Sequence, residues 1–247
     1  ARIDTLSNIE GEYVGYTNFQ ILHSEIQNGK STLVSPDIAI CNNCLQEMYD
    51  TQNRRYAYPF INCTDCGPRY SIMKTLPYDR PHTSMHTFLM CEACHQEYTD
   101  PLNRRFHAQP ISCPECGPTL KLISRDGKTI SDSDDAIAFT ADAIREGRIV
   151  AVKGLGGFHL ICDATNTKAL EELRQRKQRP AKPFAVMFKD INMIESSAQI
   201  SFEETKLITS KEKPIVIVPK RTDSLLSDLV APGIDRIGVL LPYTPLH

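Results

Sequence analysis

The sequence has 247 residues, of which 41% are hydrophobic and 23% charged, so it is neither a mini-protein nor a disordered or fibrous chain. The length suits two domains. Its longest apolar runs are about five residues, too short to cross a bilayer, so we expect no membrane association. A net charge of −2 gives no general attraction to nucleic acid.

The first ten residues, ARIDTLSNIE, lack the basic start, the apolar stretch and the cleavage site of a secretory signal. We therefore expect a cytoplasmic, reducing compartment, in which the nine cysteines are not expected to form disulfides. Eight of them fall in CxxC pairs that are separated by 18, 24 and 18 residues. These pairs are Cys41/Cys44, Cys63/Cys66, Cys91/Cys94 and Cys113/Cys116, and Cys162 stands alone.

The cysteine-rich segment is an internal duplication, because a shift of 50 residues superposes both quartets and their surroundings. Glu47 meets Glu97, Asn53-Arg54-Arg55 meets Asn103-Arg104-Arg105, and Gly67-Pro68 meets Gly117-Pro118. The repeat favours one ion on Cys41, Cys44, Cys63 and Cys66 and a second on Cys91, Cys94, Cys113 and Cys116. An interleaved arrangement of the four pairs stays open.

The same segment has too few aliphatic side chains to fold by burial alone, with seven Val, Ile or Leu residues between Cys41 and Cys116. Structural zinc contributes about 10–16 kcal/mol of folding free energy, which can replace that core. Redox CxxC motifs or disulfides would not explain four pairs in a duplicated frame. We expect two structural Zn²⁺ ions with closed four-sulfur shells, which leave the nearby histidines as surface or packing residues. These are His82, His86, His95 and His107.

Two Asn-Arg-Arg-aromatic tetrads, which end at Tyr56 and Phe106, occupy equivalent places in the repeats. They can contact an anion or a nucleic acid, or they can brace each cysteine turn through its backbone carbonyls. We favour the structural role, because the tetrad recurs in both copies. The segment 35–120 has 7 basic and 9 acidic side chains, and eight thiolates with two Zn²⁺ bring it to about −6. This balance argues against a phosphate-binding zinc module.

The sequence pattern changes after Leu120. Ser124–Lys128 predicts a polar turn, and a pattern of alternating helices and strands begins there. Ser133 can cap a helix with apolar positions at Ile137, Ala141 and Ile144 that ends at Gly147. A buried strand at 149–152, a glycine-rich turn at 153–157 and a segment 158–161 follow. The pattern then predicts a helix capped near Thr165 over 168–178, strands at 184–188, 214–218 and 237–241, and helices around 191–198 and 202–210.

Two features of this α/β part suggest chemistry. The turn Lys153-Gly154-Leu155-Gly156-Gly157 lets backbone N–H groups approach an anion, although it also suits a plain tight turn. The segment from Arg174 to Lys182 places five cations in nine residues, more than a helix C-terminus requires for its dipole. Pro180 and Pro183 would stiffen its exit for polyphosphate recognition. His159 is either a substrate contact or a packed residue, and Cys162 suits a buried thiol.

The cysteine frame with its CGP endings, KGLGGFHLICDA and LRQRKQRPAKPFAVM resemble the HypF family of hydrogenase-maturation carbamoyltransferases from about Ser35 onward. The resemblance implies two tandem four-cysteine zinc fingers in 35–120, at 41–66 and 91–116. It also implies an α/β YrdC-like nucleotide-binding domain in 130–247. Lys177, Arg179 and Lys182 match the basic signature that holds ATP phosphates and the adenylate, and Lys153, Gly156 and His159 lie in the matching glycine-rich segment.

The resemblance also implies an activity. Such proteins use carbamoyl phosphate, or carbamate, and ATP with Mg²⁺ to form carbamoyl-adenylate. They pass the carbamoyl group to the C-terminal cysteine of the partner protein HypE, as the precursor of the cyanide ligand in nickel–iron hydrogenase. Residues 1–34, with Phe19–Leu22, resemble only a linker or a remnant of a preceding acylphosphatase-like domain. By this resemblance we expect a YrdC-like domain that is truncated at its C-terminus, and hence a fragment that cannot complete the transfer alone.

Two other functions remain open from the sequence. One is a zinc-dependent RNA-binding protein or a tRNA-modification protein of the threonylcarbamoyl-adenylate type, although the acidic fingers lead us to expect no nucleic acid. The other is a docking platform for partner proteins built on the fingers, which is compatible with the carbamoyltransferase.

Overall fold

The computed structural model describes Ser7, Glu10, Gly11, Gly15 and the ranges 34–132 and 134–247, apart from the side chain of Asp134. The chain divides into a unit of residues 1–31 and a unit of residues 32–247, and the described elements belong to the second. The proposed linker segment at Phe19–Leu22 and the expected helix cap Ser133 lie outside the described residues. Within those residues no helix is long and apolar enough to cross a membrane.

Each repeat of the cysteine-rich segment contains one short helix, α1 at Asn42–Tyr49 and α2 at Glu92–Thr99. Each helix begins directly after the first cysteine of a CxxC pair, and the Cys41 sulfur accepts from the Cys44 N–H at the start of α1. The remaining chain forms tight turns, which include single 3₁₀ turns at Tyr70–Ile72, Arg80–His82 and Ser84–Thr87. The buried side chains are few and cluster around the sulfurs, as the sparse aliphatic content requires.

A hairpin links the fingers to the α/β part: β1 at Lys121–Ile123 pairs antiparallel with β2 at Thr129–Asp132. Its turn is the predicted polar one, with Gly127 at φ +84°. The predicted helix follows as α3 at Asp134–Arg145, and Gly147 lies just beyond its end at φ +81°. A second antiparallel hairpin, β3 at Val150–Lys153 and β4 at Phe158–Ile161, encloses the glycine-rich turn.

Two details of this region differ from the sequence prediction. The strand predicted to be buried at 149–152 is half exposed, because β3 pairs with β4 alone among the described strands. The helix α4 at Thr167–Lys177 is capped by Asn166, whose side chain accepts from the Ala169 N–H, and not by Thr165. Thr165 bonds instead to the Asp163 carboxylate, which forms the turn before the helix.

The core of the α/β part is a three-stranded sheet in the order β5, β7, β6. β5 at Ala185–Met187 runs parallel to β7 at Arg236–Leu240, and β6 at Val216–Pro219 runs antiparallel to β7. Two helices, α5 at Ile191–Ser197 and α6 at Phe202–Ile208, connect β5 to β6. Val186, Ile194, Ile208, Val218, Ile237 and Val239 are buried between these layers. The predicted strands and helices are confirmed, with ends that differ from the prediction by at most two residues.

Candidate functional site

The eight paired cysteines form two clusters, and within each the sulfurs all lie within 4.8 Å of one another. Neighbouring sulfur atoms of the free thiols are 3.5 to 3.7 Å apart in the first cluster and 3.7 Å apart in the second. A tetrahedral zinc site with bonds of about 2.3 Å has sulfur–sulfur edges of about 3.8 Å, so both donor sets fit Zn²⁺. The clusters are Cys41, Cys44, Cys63, Cys66 and Cys91, Cys94, Cys113, Cys116, so each repeat supplies one set.

Four sulfurs leave a tetrahedral ion no open position for water, so these sites suit a structural role. Within the described ranges no histidine joins either cluster. His107 packs its ring against those of Phe106 and Tyr98, at centroid distances of 4.5 and 4.7 Å. It therefore has the packing role that the sequence predicts for the histidines of this segment.

The arginines of the first repeat reach the cysteines of the second. Arg54 Nη2 donates to Cys91, Cys94 and Cys113 at 3.3, 3.5 and 3.2 Å. Arg55, which is 1% exposed, donates through Nε to the Ser112 carbonyl at 2.9 Å and through Nη2 to Cys94 at 3.4 Å. The first repeat therefore surrounds the second metal site with two guanidinium groups.

The reverse contacts occur in the same geometry. Arg104 Nη2 donates to the Cys44 sulfur at 2.9 Å, and Arg105 Nε donates to the Asn62 carbonyl at 3.0 Å. Asn62 and Ser112 are equivalent under the shift of 50 residues, as are Arg105 and Arg55. The two fingers are thus paired by an approximate two-fold arrangement in which each braces the other.

A glutamate in each finger helix completes the network. Glu47 pairs with Arg105 and, at 3.1 Å, with Arg104, while Glu97 pairs with Arg55 and, at 3.4 Å, with Arg54. Burial opposes the ionisation of Glu47, but hydrogen bonds from the two arginines outweigh it and lower its pKa. Two guanidinium groups against one carboxylate leave a net positive charge beside each tetrathiolate, which offsets the −2 charge of a Zn(Cys)₄ centre.

The predicted structural role of the tetrads is confirmed, but the cysteine turn that each tetrad braces belongs to the opposite repeat. Among the described residues the tetrad arginines donate to sulfur, to carboxylate and to one carbonyl of that repeat, and none donates to a carbonyl of its own turn. The residue that braces its own cysteine turn is Arg69, which donates to the carbonyls of Cys63, Thr64, Cys66 and Pro68 at 2.8 to 3.2 Å. Arg80, largely buried, donates to the carbonyls of Gln109 and Ile111 in the second finger. Neither arginine has a role that the sequence predicts.

Three predicted nucleotide-site residues lie on the β3–β4 hairpin. Lys153 ends β3 with an exposed side chain, its Nζ 5.6 Å from the centre of the Phe158 ring. Gly156, at the tip, has φ +81°, which explains why a glycine occupies this position. His159 is half-buried on β4 opposite Val152.

The cationic segment after α4 divides into buried and accessible groups. Arg174 is 7% exposed and donates to the carbonyls of Arg179, Pro180, Lys182, Leu229 and Val230, so it is a structural hub and cannot face a ligand. Arg179 donates to the Lys182 and Pro183 carbonyls at 3.1 and 2.6 Å and stacks on Phe184 at 5.1 Å. Its guanidinium is thereby held in one orientation, as the two prolines suggest.

The remaining cations of the segment are at the surface. Arg176 pairs with Glu172 one turn earlier on α4, a contact that the sequence analysis overlooked. Lys177 and Lys182 have exposed side chains and make no side-chain hydrogen bond or ion pair within the described residues. Of the five cations in the cluster, Lys177, Lys182 and the free edge of Arg179 are the ones that can receive an anion.

An open trough brings part of the predicted set together, since Lys153, His159 and Arg179 all line it. Gly156, Lys177 and Lys182 are not among its lining residues within the described ranges. Two further liners, Tyr243 and His247, were not predicted as site residues. Aromatic and histidine side chains directly after the strand β7 were the available sequence signal for them.

These residues form a compact corner. The imidazoles of His159 and His247 stack at 5.7 Å with a 9° angle, and the Tyr243 ring lies 4.7 Å from that of His247. The Thr244 hydroxyl lies 2.9 Å from His247 Nδ1. Burial, aided by His159, lowers the pKa of His247 to about 4, so its imidazole is neutral at physiological pH. Burial and the Asp37 carboxylate raise the pKa of Tyr243.

Comparisons with known proteins match the cysteine-rich segment and the α/β part to two different family models. A family model described as the HypF finger matches residues 40–73 and again 90–123. The Sua5/YciO/YrdC model, described as telomere recombination, matches residues 142–247. The carbamoyltransferase HypF of Synechocystis is 53% identical over 232 residues, which is 94% of this chain and 30% of that protein.

Solved structures give the same result. The T. kodakarensis HypF structure superposes with a TM-score of 0.84 and 48% identity, over 88% of this chain and 29% of that one. Full-length HypF in its phosphate- and nucleotide-bound form superposes with a TM-score of 0.80 and 46% identity, over 89% of this chain and 28% of that one. The chain therefore spans about 30% of the length of these relatives.

Two tandem four-cysteine fingers followed by a YrdC-like α/β unit define a class of zinc-finger proteins. Both models occur in this chain in that order, and the similarity to HypF proteins runs through fingers and α/β unit alike. The chain belongs to the HypF family.

Proposed function

We propose that this chain supplies the finger pair and part of the adenylate site of a carbamoyltransferase that acts in nickel–iron hydrogenase maturation. The observation that carries the proposal is that Lys153, His159 and the fixed guanidinium of Arg179 all line one open trough. Support comes from the high identity to HypF proteins over both parts of the chain. The two Cys₄ sites hold Zn²⁺ as scaffold and take no part in the chemistry.

The proposed reaction joins two anions. Water first hydrolyses carbamoyl phosphate: the bond between the carbamoyl and phosphate groups breaks, and carbamate and inorganic phosphate are released. An oxygen of carbamate then attacks the α-phosphorus of ATP, so the bond to the β-phosphate breaks and pyrophosphate leaves with carbamoyl-adenylate formed. In the transfer step the terminal cysteine sulfur of HypE attacks the carbamoyl carbon, and AMP leaves.

Cations in the trough can offset the charge repulsion of the adenylation step. Arg179 has two of its nitrogens bonded to carbonyls, and its Nη1 makes no hydrogen bond among the described residues. That edge is available for a phosphate oxygen without a rearrangement of the side chain. Lys177 and Lys182 would add mobile positive charge for the β- and γ-phosphates with Mg²⁺, and Lys153 would approach from the hairpin.

The hairpin and the aromatic corner would hold the rest of the substrate. Gly156 at the exposed tip leaves its backbone open to close approach by an anion. His159 stacks on a neutral His247, which keeps the His159 ring in one orientation toward the trough. This arrangement suits a residue that binds or orients a substrate through one ring nitrogen.

The test is ATP–pyrophosphate exchange in the presence of carbamoyl phosphate, with the zinc-loaded chain and with the natural full-length protein. We expect exchange by the full-length protein and little by this chain alone, because the chain carries only part of the site. Robust exchange by the chain would contradict its incompleteness. A full-length protein that never exchanges would contradict the proposed reaction itself.

Site residues are tested by single substitutions in the full-length protein. We expect Lys177→Ala and Lys182→Ala each to weaken ATP binding by about 10-fold, the effect of one lost charge-assisted hydrogen bond. Lys206→Ala, an equally exposed lysine on α6, is the matched control and should leave the affinity unchanged. Equal losses in all three variants would indicate a general charge effect in place of specific contacts.

The partner and the compartment belong to the same proposal. We expect the acceptor to be HypE, with the finger surface as a docking platform, in a cytoplasm that keeps the eight thiols reduced. Site-directed cross-linking from the segment 41–116 tests the contact, and cross-links confined to the α/β unit would reassign the docking surface.

A second candidate rests on the match to the Sua5/YciO/YrdC model, which also suits a threonylcarbamoyl-adenylate-forming enzyme of tRNA modification or an RNA-binding protein. The acidic fingers disfavour nucleic acid. Exchange that depends on threonine and bicarbonate instead of carbamoyl phosphate would favour this candidate, as would salt-sensitive tRNA binding that Lys177→Ala abolishes.

A further inference from the structure

The four residues Asp37–Ile40 connect the first metal site to the rim of the trough. They immediately precede Cys41, the first cysteine of the first cluster. The Ile38 N–H donates to the Gly67 carbonyl at 3.1 Å, and the Gly67 N–H donates back at 2.8 Å. Because Gly67 directly follows Cys66, this short bridge ties the segment to both ends of the first finger.

The next two amides point to the α/β unit. The Ala39 N–H donates to the Lys211 carbonyl at 3.0 Å, and the Ile40 N–H donates to the Tyr243 carbonyl at 3.2 Å. Tyr243 belongs to the aromatic corner with His159 and His247. The backbone of Asp37–Ile40 therefore links Cys41 of the first metal site, through one hydrogen bond, to the carbonyl of Tyr243, which lines the trough.

Asp37 fixes the start of this stretch. Its carboxylate accepts from the backbone N–H groups of Arg69 at 2.7 Å and Ser71 at 3.1 Å, and from the Ser71 hydroxyl. The same carboxylate lies near enough to Tyr243 to help raise the pKa of that phenol. Asp37 thus organises the 3₁₀ turn at 70–72.

The organised turn lies against the glycine-rich loop. A Cβ atom added to Gly156 would be 3.4 Å from the Ser71 hydroxyl oxygen, so the Ser71 side chain lies within van der Waals reach of the loop at Gly156. Finger residues Ile40, Met48 and Phe60 also line the trough, together with Lys153. Within the described ranges no residue from 90–118 does so, and the second repeat lines the trough only through its last residues, 119–123.

We propose that Asp37 is a positioning residue for the nucleotide site: through Ser71 and the Asp37–Ile40 backbone it holds the glycine-rich loop and the Tyr243 corner against the first zinc finger. The inference rests on the proposed function for its effect on nucleotide binding. The finger pair is then more than a separate scaffold, since its first member forms one wall of the site. Asp37 itself does not touch the nucleotide.

The duplication provides internal support. The position equivalent to Asp37 in the second repeat is Thr87, and the position equivalent to Ser71 is Lys121. Thr87 bonds only within its own turn, to the Ser84 carbonyl at 3.4 Å. The repeat that contacts the α/β unit therefore carries the carboxylate and the hydroxyl, whereas the other repeat lacks both.

The experiment compares Asp37→Ala, Asp37→Asn and the control Glu115→Ala in the zinc-loaded full-length protein. Glu115 is an exposed acid of the second finger, so its removal changes the net charge equally. Zinc content establishes that both metal sites are filled. Hydrogen exchange of residues 153–157 and 240–247 reports the position of the loop and the corner without any nucleotide, and ATP titration with exchange kinetics reports the site.

For Asp37→Ala we expect two zinc ions per chain, exchange at least about 10-fold faster in both segments, and an ATP KM raised about 10-fold with kcat within about 2-fold. Asp37→Asn, which keeps an acceptor oxygen, should recover most of both effects, and Glu115→Ala should match the wild type. Unchanged hydrogen exchange in Asp37→Ala would overturn the positioning role. Altered hydrogen exchange in a protein that binds no ATP would retain the positioning role and overturn the proposed function.

Discussion

The two fingers share one framework but differ in what surrounds it. Both have a cysteine at the start of a short helix, a helix glutamate, and an arginine pair that reaches across to the other copy's sulfurs. Only the first has Arg69 on its own cysteine turn and the Asp37–Ile40 segment that contacts the α/β unit. The comparison separates features that hold the pair together from features that attach it to the α/β unit.

Loss of metal from either finger should give the largest effect. We expect Cys44→Ser and Cys94→Ser each to lose their own zinc and to weaken zinc binding in the unaltered finger by about 10-fold or more, because outer-shell partners have effects of that size. The arginines that neutralise one cluster are placed by the other finger. Metal titration with Co²⁺ measures both sites.

Complete chelation should unfold the segment from Cys41 to Cys116, since zinc contributes about 10–16 kcal/mol to such domains. Limited proteolysis and circular dichroism follow the loss of structure.

A cysteine variant that still binds one zinc with unaltered affinity would show that the fingers are independent. Two-site loss in one variant but not in the other would show that the bracing is unequal.

The buried arginines come next. We expect Arg105→Ala and Arg55→Ala each to destabilise the zinc-loaded chain by about 3–5 kcal/mol, because each leaves a partly buried glutamate without its closest partner. The double variant Arg105→Ala/Glu47→Ala should be less destabilised than the sum of its single changes. Urea denaturation measures the free energy of unfolding of these variants and of the equivalent Arg55 and Glu97 variants. Additive effects of the arginine and glutamate changes would contradict the network.

A smaller effect should distinguish the fingers. Arg69→Ala removes the donors for four carbonyls of the first cysteine turn and should cost about 1–3 kcal/mol. The equivalent position in the second finger is the exposed Thr119, and Thr119→Ala should be neutral. Equal effects of the two changes, measured by the same denaturation, would remove one of the two differences between the fingers.

Sequence reasoning reached the elements that depend on spacing. The grouping of the cysteines, the strands around Val186 and Val218 and the turn at Gly127 follow from repeat length, apolar runs and glycine conformation. The helices α1 and α2 were not predicted, because eight residues with no apolar period give no helical signal. They form because a metal-binding pair fixes their first turn.

The site was harder to predict, since its geometry depends on contacts between distant residues. The sequence of the predicted cluster Arg174 to Lys182 could not show that Arg174 donates to five carbonyls from two parts of the chain. The reach of Arg54 and Arg104 into the opposite repeat had no sequence signal beyond their recurrence. Tyr243 and His247 line the trough because the chain after β7 lies beside β4 and the first finger.

The smallest expected effect tests whether the first finger holds that corner closed. Burial lowers the pKa of His247 to about 4 from an ordinary value near 6.5, so the unfolded chain binds its proton more readily. The contribution of the buried imidazole to stability is therefore complete above about pH 6.5 and declines as the pH falls toward 4. The NMR titration of His247 in the zinc-loaded full-length protein measures the midpoint directly.

In that titration Asp37→Ala should move the midpoint of His247 upward toward 6.5, because release of the Ile40–Tyr243 contact admits water to the ring. Glu115→Ala in the second finger should leave it near 4. If both variants shift the midpoint equally, the effect is one of net charge. That result would contradict a specific contact between the first finger and the proposed nucleotide site. A midpoint that stays near 4 in Asp37→Ala places the closure of the corner within the α/β unit itself.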